Sequence, residues 1–90
     1  MRVSFFATLR EITRAKEIRW TTPTATVGDL LHALSDRYGS GFRDWALEGD
    51  SLGKFIIVLV NGRDVRHLAG LATRLEPEDD VSIFPMVAGG

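Results

Sequence analysis

The chain has 90 residues, 44% hydrophobic and 26% charged, with 11 Lys and Arg against 12 Asp and Glu. That length and balance predict one globular domain and argue against wholesale disorder, and against general nucleic-acid binding, which draws on a basic excess. With no cysteine, no apolar run approaching the ~18 residues of a membrane span and no secretory signal in Met1-Arg2-Val3-Ser4-Phe5-Phe6, disulfides, thiolate chemistry and a membrane address are excluded and the cytosol is expected.

Arg2 to Leu9 alternates, with Val3, Phe5, Ala7 and Leu9 on one face and Arg2, Ser4, Phe6 and Thr8 on the other, which predicts a half-buried strand. Arg10 to Ala15 reads as a turn. Glu17 to Thr21 alternates again, so an antiparallel return is expected. Thr22-Pro23-Thr24-Ala25 breaks it. Thr26 is then a candidate N-cap, with Asp29 as its acidic partner. Val27, Leu30, Leu31, Leu34 and Tyr38 share one helical face, and Gly39 stands where a left-handed stop is wanted.

Between Gly41 and Gly53, the residues Phe42, Trp45, Ala46 and Leu47 suggest a helical turn over a core edge. Phe55-Ile56-Ile57-Val58-Leu59-Val60 is an unbroken apolar run, predicting a strand buried on much of both faces. Asn61-Gly62 follows, the residue pair that a type I′ hairpin turn demands. Arg63 to Val65 begins the return, and Arg66 to Thr73 reads as irregular. Glu76 to Asp79 is a turn, and Asp80 to Phe84 the last strand, stopped by Pro85. The expected order is β-β-α-β-β-β, a small α+β roll with one helix covering one face of a mixed sheet.

The chemistry is concentrated at the end. Pro85-Met86-Val87-Ala88-Gly89-Gly90 has no polar side chain, and fully extended it reaches about 20 Å past the sheet. Glycine has no Cβ, so Gly89-Gly90 can thread a narrow cleft and present the Gly90 carboxylate to another enzyme. A carboxylate is a poor electrophile, but adenylation turns it into a mixed anhydride that sulfur or nitrogen can attack. Parity adds a second signal. If Val3, Phe5, Val81 and Ile83 face the core, Phe6 and Phe84 face out, each alone on a polar strand face. If those strands are neighbours, the two rings form an apolar patch at the root of the tail, of the kind that marks partner surfaces.

Phe5-Phe6-Ala7-Thr8-Leu9-Arg10-Glu11-Ile12, Val60-Asn61-Gly62, and Asp80 through Gly90 together resemble the MoaD/ThiS family of ubiquitin-like sulfur carriers. The resemblance runs along essentially the whole chain. The opening segment and the Phe-Pro-x-Val-x-Gly-Gly ending are most similar to MoaD, the small subunit of molybdopterin synthase, although Met86 stands where that pattern often has proline. The resemblance implies a β-grasp with a mixed sheet of four to five strands and one main helix on one face. It implies a β-grasp domain over 1–84, an extended tail over 85–90, and first and last strands paired in parallel at the sheet centre.

It also implies a reaction cycle. An E1-like, MoeB-like enzyme uses ATP to adenylate Gly90. A sulfurtransferase or persulfide supplies sulfur, leaving a thiocarboxylate. The MoaE-like large subunit of molybdopterin synthase then accepts the tail, and sulfur passes to a pterin precursor to build its dithiolene, in molybdenum or tungsten cofactor synthesis. The chain itself binds no cofactor and is expected to be non-catalytic and monomeric when alone. Gly89 and Gly90 match the reacting terminus; Phe84, Phe6 and Arg10 match interface positions, with Met86, Val87 and Ala88 in the tail between them. Other destinations stay open: tRNA thiolation, thiamin or sulfur amino acid synthesis, isopeptide modification of proteins through Gly90, or passive binding. His32, His67, the acidic turn at Glu76 to Asp80 and the arginines Arg63 and Arg66 read as solvated surface, with no triad or metal spacing among them.

Overall fold

The computed structural model describes residues 1–86. Val3 and Phe5 are fully buried and alternate with Arg2 and Ser4, forming strand β1 (Arg2–Phe5). The strand is shorter than the alternation to Leu9 predicts. Ala7 takes φ +52°, which swings the chain off the sheet into a short helix, α1 (Leu9–Thr13), where a turn was expected. Leu9 is buried as anticipated, but from a helix. Strand β2 (Glu17–Arg19) returns antiparallel, with Val3 opposite Ile18.

The main helix, α2 (Val27–Tyr38), begins and ends where the sequence places it. The Asp29 N–H donates to Thr26 Oγ1 at 3.1 Å, satisfying one orphan amide of the first turn. Val27, Leu30, Leu31 and Leu34 are fully buried. Gly39, at φ +89°, breaks the helix, and α3 (Ser40–Ala46) follows at once, longer than the single turn expected. Its Phe42 and the α2 residue Tyr38 meet the Phe5 ring edge-on, at centroid distances of 6.1 and 5.7 Å. A small ribbon, β3 (Leu47–Glu48) and β4 (Ser51–Leu52), leads to β5 (Ile56–Val60).

Asn61 and Gly62 both have positive φ, 51° and 83°, as a type I′ turn requires, and join β5 to β6 (Arg63–Asp64). The Asn61 side chain also accepts from the Asp80 N–H and donates to Asp79, each at 2.9 Å, tying the hairpin to the last strand. The stretch read as irregular carries two 3-10 turns, Val65–His67 and Gly70–Ala72. Strand β7 (Asp80–Pro85) takes in one residue more than the expected Asp80 to Phe84, ending at Pro85 itself.

The main sheet has five strands in the order β2-β1-β7-β5-β6. β7 lies at its centre, parallel to β1 and antiparallel to β5. This is a ubiquitin-like β-grasp, α+β, with α2 and α3 packed on one face. One expectation needs correcting. The run from Phe55 to Val60 is not buried on both sides: Ile56, Val58 and Val60 are buried, Ile57 and Leu59 are half-buried, and Phe55 precedes the strand, 57% exposed. Among the described residues the helices cover one face of the sheet only, so burial alternates although the residue type does not.

Gly53, just before β5, is enclosed by α3. A Cβ there would stand 2.0 Å from the Trp45 carbonyl oxygen, backbone that cannot yield cheaply. Gly53→Ala is expected to destabilise the fold by about 3 kcal/mol, read by urea denaturation. Gly41→Ala, where the nearest neighbour is the Ile12 side chain at 3.9 Å, is the control and is expected to lose far less.

Candidate functional site

The outer face of the sheet changes character along its length. At one end Arg2 lies between Arg19 and Asp80, and its guanidinium bonds the Asp80 carboxylate at 3.0 and 3.3 Å. That hydrogen bond, then the charges of Asp80 and Glu17, raises the Arg2 pKa. The next register level is Glu17, Ser4, Ser82 and Leu59. Beyond it the face turns apolar. Phe84 stands opposite Ile57, and Phe6, which follows β1 and donates its N–H to the Ile83 carbonyl at 3.1 Å, takes the other flank. Phe55 and Met86, 57% and 37% exposed, continue the strip, with the Met86 N–H bonded to the Phe55 carbonyl at 2.7 Å.

Phe6 and Phe84 are stacked, with ring centroids 4.2 Å apart and planes 11° from parallel. The parallel β1–β7 register causes this. Phe5 pairs with Ile83 facing inward, so the next residue on each strand meets its counterpart facing outward. Arg10 adds a third layer, its guanidinium carbon 5.2 Å from the Phe6 ring centre. Its Nε donates to the Phe5 carbonyl at 2.8 Å, which holds the side chain over the ring. Arg10 reaches the ring from the short helix α1.

The structure therefore gathers four of the residues singled out from the sequence, Phe6, Arg10, Phe84 and Met86, into one continuous surface. Val87, Ala88, Gly89 and Gly90 lie outside the described residues. Two members were missed. Phe55 and Ile57 belong to the strip, and their signal was available: in a strand whose even-numbered residues face the core, 55 and 57 share the face of 84 and 86. Phenylalanine, isoleucine and methionine offer no group that takes or gives a proton. The strip can bind and exclude water, and it cannot carry out bond chemistry. A groove of about 710 Å³ lined by Met1, Trp20, Pro23, Leu75 and Pro77 lies at the opposite pole and contains none of these residues.

Comparison with known proteins is consistent along the whole chain. The model of the ThiS family matches residues 3–90. Small archaeal modifier protein 3 of Haloferax volcanii is 44% identical over 91 residues, covering 100% of this chain and 98% of that protein. Sulfur carrier protein CysO of Mycobacterium tuberculosis is 40% identical over 68 residues, 72% of each chain. The crystal structure of the BexX/CysO complex of Amycolatopsis orientalis contains a chain that matches with a TM-score of 0.83 at 32% identity, over 99% of this chain and 98% of that one.

Adjacent residues of β7 face opposite environments and should respond differently to truncation. Phe84→Ala removes a stacked, half-exposed ring and is expected to cost about 1–2 kcal/mol of stability. Ile83→Ala opens the core and is expected to cost about 2–5 kcal/mol. Urea denaturation of both variants checks the order.

Proposed function

The chain belongs to the ThiS family, and on that premise we propose that it is a sulfur carrier whose reacting group is the α-carboxylate of Gly90. An E1-like enzyme adenylates Gly90 with ATP and releases pyrophosphate. The persulfide of a sulfurtransferase then attacks the mixed anhydride and AMP leaves. A second thiol cleaves the resulting acyl disulfide at its S–S bond, leaving a thiocarboxylate on the chain and a disulfide on the thiol partners. The supporting observation is the Arg10–Phe6–Phe84 stack at the root of a sequence that runs on to Gly89-Gly90. A rigid apolar face beside a small-residue tail suits a protein that docks by one and reacts by the other. The face supplies affinity, and the glycines let the tail enter a channel too narrow for side chains. The apolar strip contributes no acid or base of its own, so we assign catalysis to the partner.

Of the destinations for the sulfur, we favour dithiolene formation on a pterin precursor, with a MoaE-like large subunit receiving the tail, on the strength of the Phe84-Pro85 to Gly90 ending. A specific observation supports a second reading. The Haloferax volcanii relative that matches over 100% of the chain is named a modifier, and the same activated Gly90 would form an isopeptide bond if a lysine amine replaced sulfur as the nucleophile.

The test is mass spectrometry of the C-terminal peptide after incubation with an E1-like enzyme, ATP and a sulfur donor. An ATP-dependent thiocarboxylate on Gly90 is expected, and an unmodified Gly90 beside an active control carrier refutes the reading. The peptide must be resolved, because sulfur for oxygen shifts the mass almost as oxidation of Met86 does. A residue added after Gly90 is expected to abolish adenylation. Thiol-resistant conjugates to lysine in place of transferable sulfur would select the modifier reading. Phe84→Ala is expected to weaken binding to the activating enzyme about 30-fold, the size of a 2 kcal/mol hot spot.

A further inference from the structure

The segment between β4 and β5 has no regular ladder, yet its backbone is held at point after point. The Gly53 N–H donates to the Ala46 carbonyl at 2.8 Å, and the Lys54 N–H donates to the Glu48 carboxylate at 2.7 Å. The carbonyls of Gly53 and Ile56 both accept from one guanidinium, that of Arg66. Arg66 reaches them from the 3-10 turn Val65–His67, where Val65 is fully buried and the Asp64 carboxylate accepts the Arg66 N–H at 2.9 Å. Its two Nη atoms thus bridge the carbonyls on either side of Lys54 and Phe55. Arg66 is exposed, as the sequence reading has it, yet its fork is engaged by the chain's own backbone.

What lies inside that clasp matters for the tail. The Phe55 carbonyl is the acceptor for the Met86 N–H, the bond nearest the chain end among the described residues. Where Arg66 holds the Gly53–Ile56 segment, the Phe55 carbonyl is held, and with it the position of Met86 at the end of β7. The Phe55 side chain, the most exposed of the apolar strip, is placed by the same segment.

We propose that Arg66 is a positioning residue for the root of the reacting chain end: through the Gly53 and Ile56 carbonyls it fixes the Phe55 carbonyl, which anchors Met86. It acts without touching substrate or partner. The planar, rigid fork of arginine suits this task, because two separate acceptors are met by one group with little freedom to lose. A chain already held at Met86 has less to order at the moment of binding, so the benefit appears in affinity. This inference rests on the carrier reading of Gly90.

The experiment pairs amide hydrogen exchange with activation kinetics on the full chain, for the wild type and Arg66→Met. Exchange at the Met86 amide is expected to rise at least tenfold in the variant, while the core amide of Val58 changes in step with global stability only. In ATP-dependent activation, KM for the carrier is expected to rise about tenfold with kcat unchanged. Arg66→Lys keeps the charge without the fork and is expected to restore only part of either effect. Should Arg66→Met fail to fold, Glu48→Ala removes the acceptor of the Lys54 N–H, loosens the same segment from its other anchor, and is expected to shift both readouts in the same direction. Met86 exchange equal to that of the wild type, or raised exchange with unchanged KM, overturns the proposal. A wild-type chain that the enzyme never activates defeats the carrier reading instead, and is told apart from those outcomes because it does not depend on the variant.

Discussion

Parallel pairing of the first and last strands is the constraint on which the rest of this molecule depends. Two parallel neighbours cannot be joined by a tight turn, so everything between Phe5 and Asp80 has to act as their connection. The ladder sets Arg2 against Asp80 and Phe5 against Ile83. That single register puts Val3, Phe5, Val81 and Ile83 under the helices, where burial of each is worth about 1.5–3 kcal/mol. On the opposite face it leaves Phe6 beside Phe84. Core and candidate site are two sides of one pairing, and a shift by one residue would exchange them.

The outer face shows how a surface can be graded without any loop to shape it. Arg2, Arg19 and Asp80 are charged, the next level mixes Glu17, Ser4, Ser82 and Leu59, and Phe6, Phe84, Ile57, Phe55 and Met86 are apolar. Each step along the strands is one register level further toward the chain end. The exposed Arg2–Asp80 pair contributes little to stability, as surface ion pairs do, but it keeps the far end of the face wet. Only the end from which the tail departs is fit for an apolar partner. Arg10 closes that end, its guanidinium over the Phe6 ring and its Nε bonded to the Phe5 carbonyl.

Much of the architecture was legible in advance, and the reasons are specific. Helix α2 announces itself through Thr26, the apolar stripe from Val27 to Tyr38, and Gly39, because capping and amphipathicity act within a few residues of one another. The Asn61-Gly62 turn is legible because few residue pairs tolerate positive φ twice. The Phe6–Phe84 contact followed from parity once the strands were taken to be neighbours. Other features were not legible. Alternation continued through Ala7 and Leu9, and nothing local shows that a non-glycine residue will adopt φ +52° and divert the chain into α1. An unbroken apolar run from Phe55 to Val60 reads as doubly buried, although the sheet is covered on one face.

The sequence alone therefore determined the class of fold, the main helix, the hairpin turn, and the pairing of a glycine end with two outward phenylalanines. All of these rest on interactions between residues close in the chain, or on the strict two-residue period of a strand. Tertiary structure decided what lies between distant segments. It placed Phe55 beside Met86, set Arg10 over Phe6, and drew the Arg66 guanidinium onto the carbonyls of Gly53 and Ile56. A side chain that bonds another segment's backbone leaves no pattern in the sequence, because a backbone carbonyl is the same at every residue. Its choice of partner is made only when the chain is packed.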